Sequence, residues 1–310
     1  MLCSFASSRK NHTLMSPALE ELIGILTLDE LGNDEFRGRG SHSDGADGTY
    51  GGHFLGQATA AALATVDDDR FIHSLHAYFI RGGRPGHPIE YAVERVRDGR
   101  SFCTRRVRAS QDGKTAFELL ASFTVEASSP TIDAATPPDL AALPSPESLP
   151  RYHELMASTD PLPFPAEWAL REHGVDVRVV NAPWSPNGPS EKDGIRMWIK
   201  ADGTLPASPK LHTAMMAYQS DESISDNVLV PLGVTWGTPG VFFVSLDHAL
   251  WFHRPIDLNQ WHLVDQWVVT ATEGRGTSTG FVWSAEGSLI ASFTQEALLR
   301  IDPPTAESQG

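Results

Sequence analysis

A nine-residue stretch near the end of the chain repeats one from its middle. LLASFTVEA occupies residues 119–127, and LIASFTQEA occupies 289–297. A second correspondence, Ser74-Leu75 against Ser245-Leu246, keeps nearly the same spacing: 171 residues, against 170 from Val125 to Gln295. Landmarks held in step over such a distance mean that one structural unit occurs twice. A chain of 310 residues has room for about two domains of ~100–150 residues. Two copies of one unit can meet edge to edge as a pseudo-dimer.

Hydrophobic period gives the content of the unit. Residues 1–14, MLCSFASSRKNHTL, carry no acid and no apolar period, so we read them as an extension or a disordered tail. From Ser16 the pattern SPALEELIGILTL predicts a short amphipathic helix, with Ser16 as cap, Pro17 in the first turn and an apolar face of Leu19, Leu22, Ile23 and Leu26. A first strand is expected at 35–40, then a loop, then the Ala-rich HFLGQATAAALATV as a buried helix. Strands follow at 71–80, 89–97, 102–110 and 115–126, separated by turns at GGRPG, RDGR and QDGK. Pro, Ala and Ser dominate 127–150, which reads as a linker extending through a partly helical 152–171. The layout then recurs, with strands at 175–181 and 195–200, the helix SPKLHTAMMAYQSD, and strands at 241–252, 261–272, 277–284 and 289–301. A helix packed on an antiparallel meander is an α+β arrangement. The expected boundaries are 15–126 for the first module, 127–171 for the linker and 172–302 for the second module.

Composition narrows the functions open to such a chain. A formal charge of −15 argues against general attraction to nucleic acid or anionic membranes, and no apolar run reaches the ~18 residues of a membrane span. Two cysteines, Cys3 and Cys103, provide neither a disulfide framework nor a metal spacing, so a reducing cytoplasm is the expected location. The terminal ESQG is not an address of the Ser-Lys-Leu type. Eight arginines crowd 81–108, readable as a phosphate-binding surface or as solvated outer faces of strands. All eight tryptophans lie between Trp168 and Trp283, which suggests an extended core or an apolar ligand in that half.

Polar residues in apolar surroundings are the candidates for chemistry. Alternation places Gln295 on the face of Ala291, Phe293, Ala297 and Leu299, and an unpaired buried amide costs roughly 1–3 kcal/mol. Its counterpart Val125 makes no such demand. Asp221 continues the helical face of Leu211, Met215 and Tyr218, either fraying into water or held in a pocket near the sheet. The first helix offers His53 and Gln57 but no equivalent acid. Ser245 shares a strand face with Phe243, Asp247 and Ala249, while Asp247 and His248 point to opposite faces and are expected to serve loop or interface hydrogen bonds. Gly276-Thr277-Ser278-Thr279-Gly280 has the letters of a hydrolase elbow but is followed by a strand where the elbow needs a helix. His73 and His76 face apart, and Asp67-Asp68-Asp69 reads as a solvated turn, so no metal and no cofactor are expected.

The block GGHFLGQATAAAL, the run HSLHAYFIRGG with IEYAVERVRDGRSFCTRRVRASQDG, and LDHALWFHRP with ASFTQEA together resemble the acyl-CoA thioesterase II family, from about Met15 to Ile301. The resemblance implies a double hotdog fold, each module wrapping a curved antiparallel sheet around a helix. It implies that Asp221, Ser245 and Gln295 hold a hydrolytic water, with Ser245 where Thr is commoner; serine keeps the hydroxyl and gives up a methyl. It also implies acyl-CoA as the substrate, an apolar channel for the acyl chain, CoA phosphates meeting some of the arginines, and a homo-oligomer. Two rival readings remain at this stage. A hotdog enoyl-CoA hydratase would need an Asp and a His converging on one site, and no segment of the Asp-x-Asn-Pro-x-His kind occurs. A non-catalytic acyl-CoA-binding protein would bind without releasing thiol.

Overall fold

The computed structural model describes residues 15–41, 48–182 and 194–301, so the extension expected at 1–14 lies outside the described residues. The first module opens with α1 (Pro17–Leu26), where the Leu19 N–H donates to the Ser16 hydroxyl at 3.1 Å and closes the first turn. The strand expected at 35–40 is β2 (Glu35–Gly38), and it forms a hairpin with an unexpected strand before it, β1 (Asp29–Gly32). Asn33 and Asp34 turn it with positive φ, a conformation these two side chains tolerate. Then come α2 (Gly51–Ala64) and the strands β3 (Arg70–Phe79), β4 (Ile89–Asp98), β5 (Phe102–Gln111) and β6 (Lys114–Val125). The 127–171 stretch holds two single 3-10 turns and two short α-helices, α3 (Tyr152–Ala157) and α4 (Ala166–Ala169).

The second module repeats the scheme with β7 (Val175–Val179), β8 (Ile195–Ala201), α5 (Pro209–Gln219), β9 (Val241–Ser245), β10 (Asp247–Phe252), β11 (His262–Thr272), β12 (Arg275–Ser284) and β13 (Leu289–Ile301). All the strands belong to one 13-stranded sheet in the order β1-β2-β4-β5-β6-β3-β10-β13-β12-β11-β8-β7, with β9 paired to β13 alone. Read outward from its middle, this order is the same in both directions: β3 and β10 meet at the seam, β6 and β13 flank them, and the short strands lie outside. Leu75 of β3 faces Leu250 of β10 across the seam, and both are fully buried. The fold is thus an α+β double hotdog.

Both central helices lie under this sheet and against each other. Leu55, Ala58, Ala61 and Ala62 of α2 are fully buried, small residues that let the helix approach the strands. The two helices run antiparallel, Gly52 beside Tyr218 and Gly56 beside Ala214. A Cβ on Gly52 would come within 2.2 Å of the Tyr218 carbonyl oxygen, so glycine sets the helix separation here. In consequence the start of α2 faces the end of α5.

The strand expected over 241–252 is broken at Leu246. Ser245 pairs with Ala297 and Ala249 with Thr294, so the intervals between these pairs are unequal, with one more residue on the β9–β10 side than on β13. That extra residue is a β-bulge, and it reverses the alternation. Phe243 is buried on one side of it and His248, Leu250 and Phe252 on the other, a switch from odd to even positions. The expectation that Ser245 and His248 face apart therefore fails.

Candidate active site

The polar positions singled out in the second module gather where α2 begins, where α5 ends and where β13 passes beneath them. Helix α5 stops at Gln219 with Ser220 as its C-cap, and Asp221 follows in the turn. Of the two environments open to Asp221, the structure has the buried one: the residue is 8% exposed, and its Oδ1 has no hydrogen-bond partner. Burial pushes its carboxyl up to about 7, against the opposing pull of the Gln295 amide and the Gly52 N–H. Its Oδ2 lies so near the first residue of α2 that a Cβ on Gly51 would sit 2.6 Å from it. The acid of the second module thus rests on the positive end of the first module's helix.

Gln295 sits on the inward face of β13, 1% exposed. Its Nε2 donates to Ser245 Oγ at 2.8 Å and to Ser225 Oγ at 2.6 Å, which uses both amide hydrogens. Its Oε1 is held by Nδ1 of His248. On the other side of the ring, His248 Nε2 meets the Ser220 hydroxyl at 2.9 Å. The structure therefore brings Gln295 and Ser245 into direct contact, with Asp221 beside the same amide. Ser220 and Ser225 join them without having been singled out, and so does His248, which was expected to serve loop or interface hydrogen bonds. In the first module the place beside the amide is filled differently: Val125, the counterpart of Gln295, pairs with Arg70 of β3. Asp247, by contrast, accepts from the Glu296 N–H at 2.7 Å, a contact between strands.

Among the described residues, the first module has no comparable group. Gln57 is as buried as Gln295, but its Nε2 donates to the Ile25 and Arg39 carbonyls at 2.8 and 3.1 Å, and its Oε1 accepts from Tyr91 at 2.7 Å. Val125 ends β6 as an apolar residue. Among the arginines of 81–108, Arg84, Arg95, Arg105 and Arg106 are ion-paired to Asp112, Asp34, Asp98 and Glu94. Arg84, Arg95 and Arg106 are exposed, as expected of solvated outer faces of strands, whereas Arg105 is buried and fits neither reading.

Two hollows open beside Glu222, the residue after Asp221. One lies between α1, the start of α2 and the segment that includes Trp168 and His173. The other is mostly apolar, lined by Tyr152, Phe164, Val177, Val179, Ile195 and Met197. Trp168 and Glu222 line both. Burial and the neighbouring Asp226 push Glu222 up to about 8, and burial pushes Asp226, which accepts from Trp236 Nε1 at 2.6 Å, up to about 7. No group of metal-ligating side chains occurs among the described residues, and none of their helices is long and apolar enough to cross a membrane.

Two hotdog modules sharing a sheet, with a polar site at the junction of their helices, form the architecture of the double hotdog thioesterases. Residues 39–124 match the acyl-CoA thioesterase N-terminal domain family, and 172–298 match the acyl-CoA thioesterase family. Acyl-CoA thioesterase 2 of Haemophilus influenzae is 34% identical over 290 residues, covering 92% of this chain and 99% of that protein. Acyl-coenzyme A thioesterase 8 of Homo sapiens is 33% identical over 295 residues, covering 92% of this chain and 90% of that one. The solved structure of acyl-CoA thioesterase II TesB2 from Mycobacterium marinum superposes with a TM-score of 0.72 at 32% identity, covering 93% and 99% of the two chains. A hot dog fold protein from Alicyclobacillus acidocaldarius gives 0.74 at 20% identity, covering 92% and 99%, a likeness that bears on the fold alone. The chain belongs to the acyl-CoA thioesterase II family.

Proposed function

We propose that the protein hydrolyses acyl-CoA thioesters to a carboxylic acid and CoA, with Asp221 as general base and with Ser245 and Gln295 orienting the attacking water. The observation that carries this reading is the unpartnered, buried Oδ1 of Asp221 beside the Gln295–Ser245 pair. A base whose carboxyl titrates at about 7 is matched to neutral pH, where a positioned base contributes about 10²–10⁴-fold. Water held by the Ser245 hydroxyl gives a proton to Asp221 as its oxygen attacks the thioester carbonyl. The start of α2, the positive end of the helix dipole, offsets the negative charge on the carbonyl oxygen. Collapse of the intermediate breaks the carbon–sulfur bond, and the proton held by Asp221 passes to the departing thiolate. A thioester is activated enough for direct attack, so no covalent enzyme intermediate is required.

The apolar hollow beside Glu222 and Asp226 suits the acyl chain. The free, buried Cys103 suits a reducing compartment, and we place the enzyme in the cytoplasm. Thiol release from a series of acyl-CoA chain lengths tests the reading. Wild-type protein should release thiol, and Asp221→Asn should lower kcat by about 10³-fold while the far-UV circular dichroism is unchanged. Full activity in the Asn variant would remove Asp221 as base. Tight acyl-CoA binding without thiol release by the wild type would favour a binding protein instead.

A further inference from the structure

His248 is buried to 1% exposure, lies two residues past the bulge at Leu246 and bridges Gln295 and Ser220, the residue before Asp221. Its hydrogen bonds admit few consistent proton arrangements. Gln295 spends both amide hydrogens on Ser225 and Ser245, so its Oε1 can only accept, and Nδ1 of the ring must be the donor. Burial pulls His248 down to about 4, so the ring is neutral at pH 7 and carries a single proton. With that proton on Nδ1, Nε2 must accept, and the Ser220 hydroxyl, also 3.0 Å from the Ala217 carbonyl, must turn to the ring. The donors then run one way: Ser220 to His248, His248 to Gln295, Gln295 to Ser245. Had the Ser220 hydroxyl turned to Ala217, the ring proton would sit on Nε2, and two acceptors would face each other at Gln295.

We propose that His248 is a positioning residue that locks the amide of Gln295 in one orientation, and through it places the Ser245 hydroxyl toward the attacking water. The repeat supports a joint role, because both partners are absent from the first module: Val125 stands where Gln295 does, and its neighbour on β3 is Arg70, not a histidine. The role in turnover rests on the thioesterase reading, whereas the proton arrangement does not.

The kinetic test uses His248→Phe and His248→Asn, each in the otherwise wild-type chain and in a Gln295→Ala chain. Phe retains a ring against Phe293, which lies 6.2 Å away and nearly parallel, but has no donor; Asn supplies a donor near the place of Nδ1. His248→Phe should lower kcat about 10–100-fold with KM changed by less than about threefold, the effect of a misplaced group rather than lost binding. His248→Asn should recover most of that loss. In the Gln295→Ala chain, His248→Phe should cost much less, since its link to the Ser245 hydroxyl is gone. An unchanged kcat in the Phe variant, or the same loss in both backgrounds, would overturn the proposal. Histidine-selective ¹⁵N NMR of the wild-type chain reads the relay without turnover. A protonated Nδ1 and a bare Nε2 at His248 are expected, and the opposite tautomer overturns the relay even if every Phe variant fails to fold. Wild-type protein that released no thiol would instead sink the thioesterase reading and leave the NMR result standing.

Discussion

A carboxylate with one bare oxygen, wedged between two helix ends, is held at a cost to the fold. The unfolded chain releases the Asp221 proton near the ordinary carboxylate value of 3.8, whereas the folded chain holds it to about 7. Between those values the folded state binds more protons, so the site's contribution to stability falls as pH rises through the interval and stays low above it. Asp221→Asn removes the charge and keeps the shape. We expect the Asn variant to be more stable at about pH 8 by roughly 1–3 kcal/mol, with the gain fading toward nothing near pH 4, as read from urea midpoints at each pH. Equal midpoints at every pH would mean the carboxylate is not desolvated. In the wild type, kcat/KM should lose about tenfold per pH unit below about 7, on a limb missing from the Asn variant. At this scale the sequence was readable where the repeat supplied a contrast. Gln295 was visible because its counterpart is Val125. Asp221 was placed at the helix end, but nothing in the letters decided between water and burial, because that depends on Gly51 and Gly52 of another helix. His248 lay hidden, since alternation through a uniform strand sends it to the wrong face.

Elements fix the site through two departures from regularity. The bulge at Leu246 turns Ser245 and His248 to one side, and the glycines of α2 let the two central helices close to backbone contact. Apolar period identified nearly all the helices and strands, since each buries one face. It gave no hint of the bulge, which adds a residue without changing the character of the run, nor of β1, all of whose residues are exposed. The glycines could be seen in GGHFLGQ, but their partner could not. Gly52→Ala makes that contact measurable. Its methyl would meet the Tyr218 carbonyl oxygen, a backbone atom with no rotamer to retreat into, and the helices must separate. The variant should lose about 1–3 kcal/mol in urea unfolding through overpacking. It should also lower kcat more than it raises KM, because Asp221 shifts relative to the Gly52 N–H. Unchanged stability would show that the helix ends have slack.

Across the whole molecule, the two modules share too much to unfold separately. They are joined by the β3–β10 ladder through the middle of one sheet, by the α2–α5 contact beneath it, and by a single apolar core that includes Leu75, Leu250, Leu55 and Met215. Losing either module would expose the inner edge strand of the other, together with an apolar helix face. The chain itself supplies separate reporters. All the tryptophans but the linker's Trp168, which packs on Tyr50, lie in the second module, so their fluorescence follows mainly that module, whereas Cys103 is buried at 1% exposure in β5 of the first. In a Cys3→Ser chain, Cys103 is the single thiol, and its reaction with an aromatic disulfide follows the opening of the first module. A cooperative sheet predicts that the two signals share one urea midpoint and one m-value. If the thiol became reactive at a lower urea concentration than the one at which the tryptophans respond, the first module would open alone. The seam would then not be continuous with the core, and the glycine-rich start of α2 could leave Asp221 without unfolding the module that carries it.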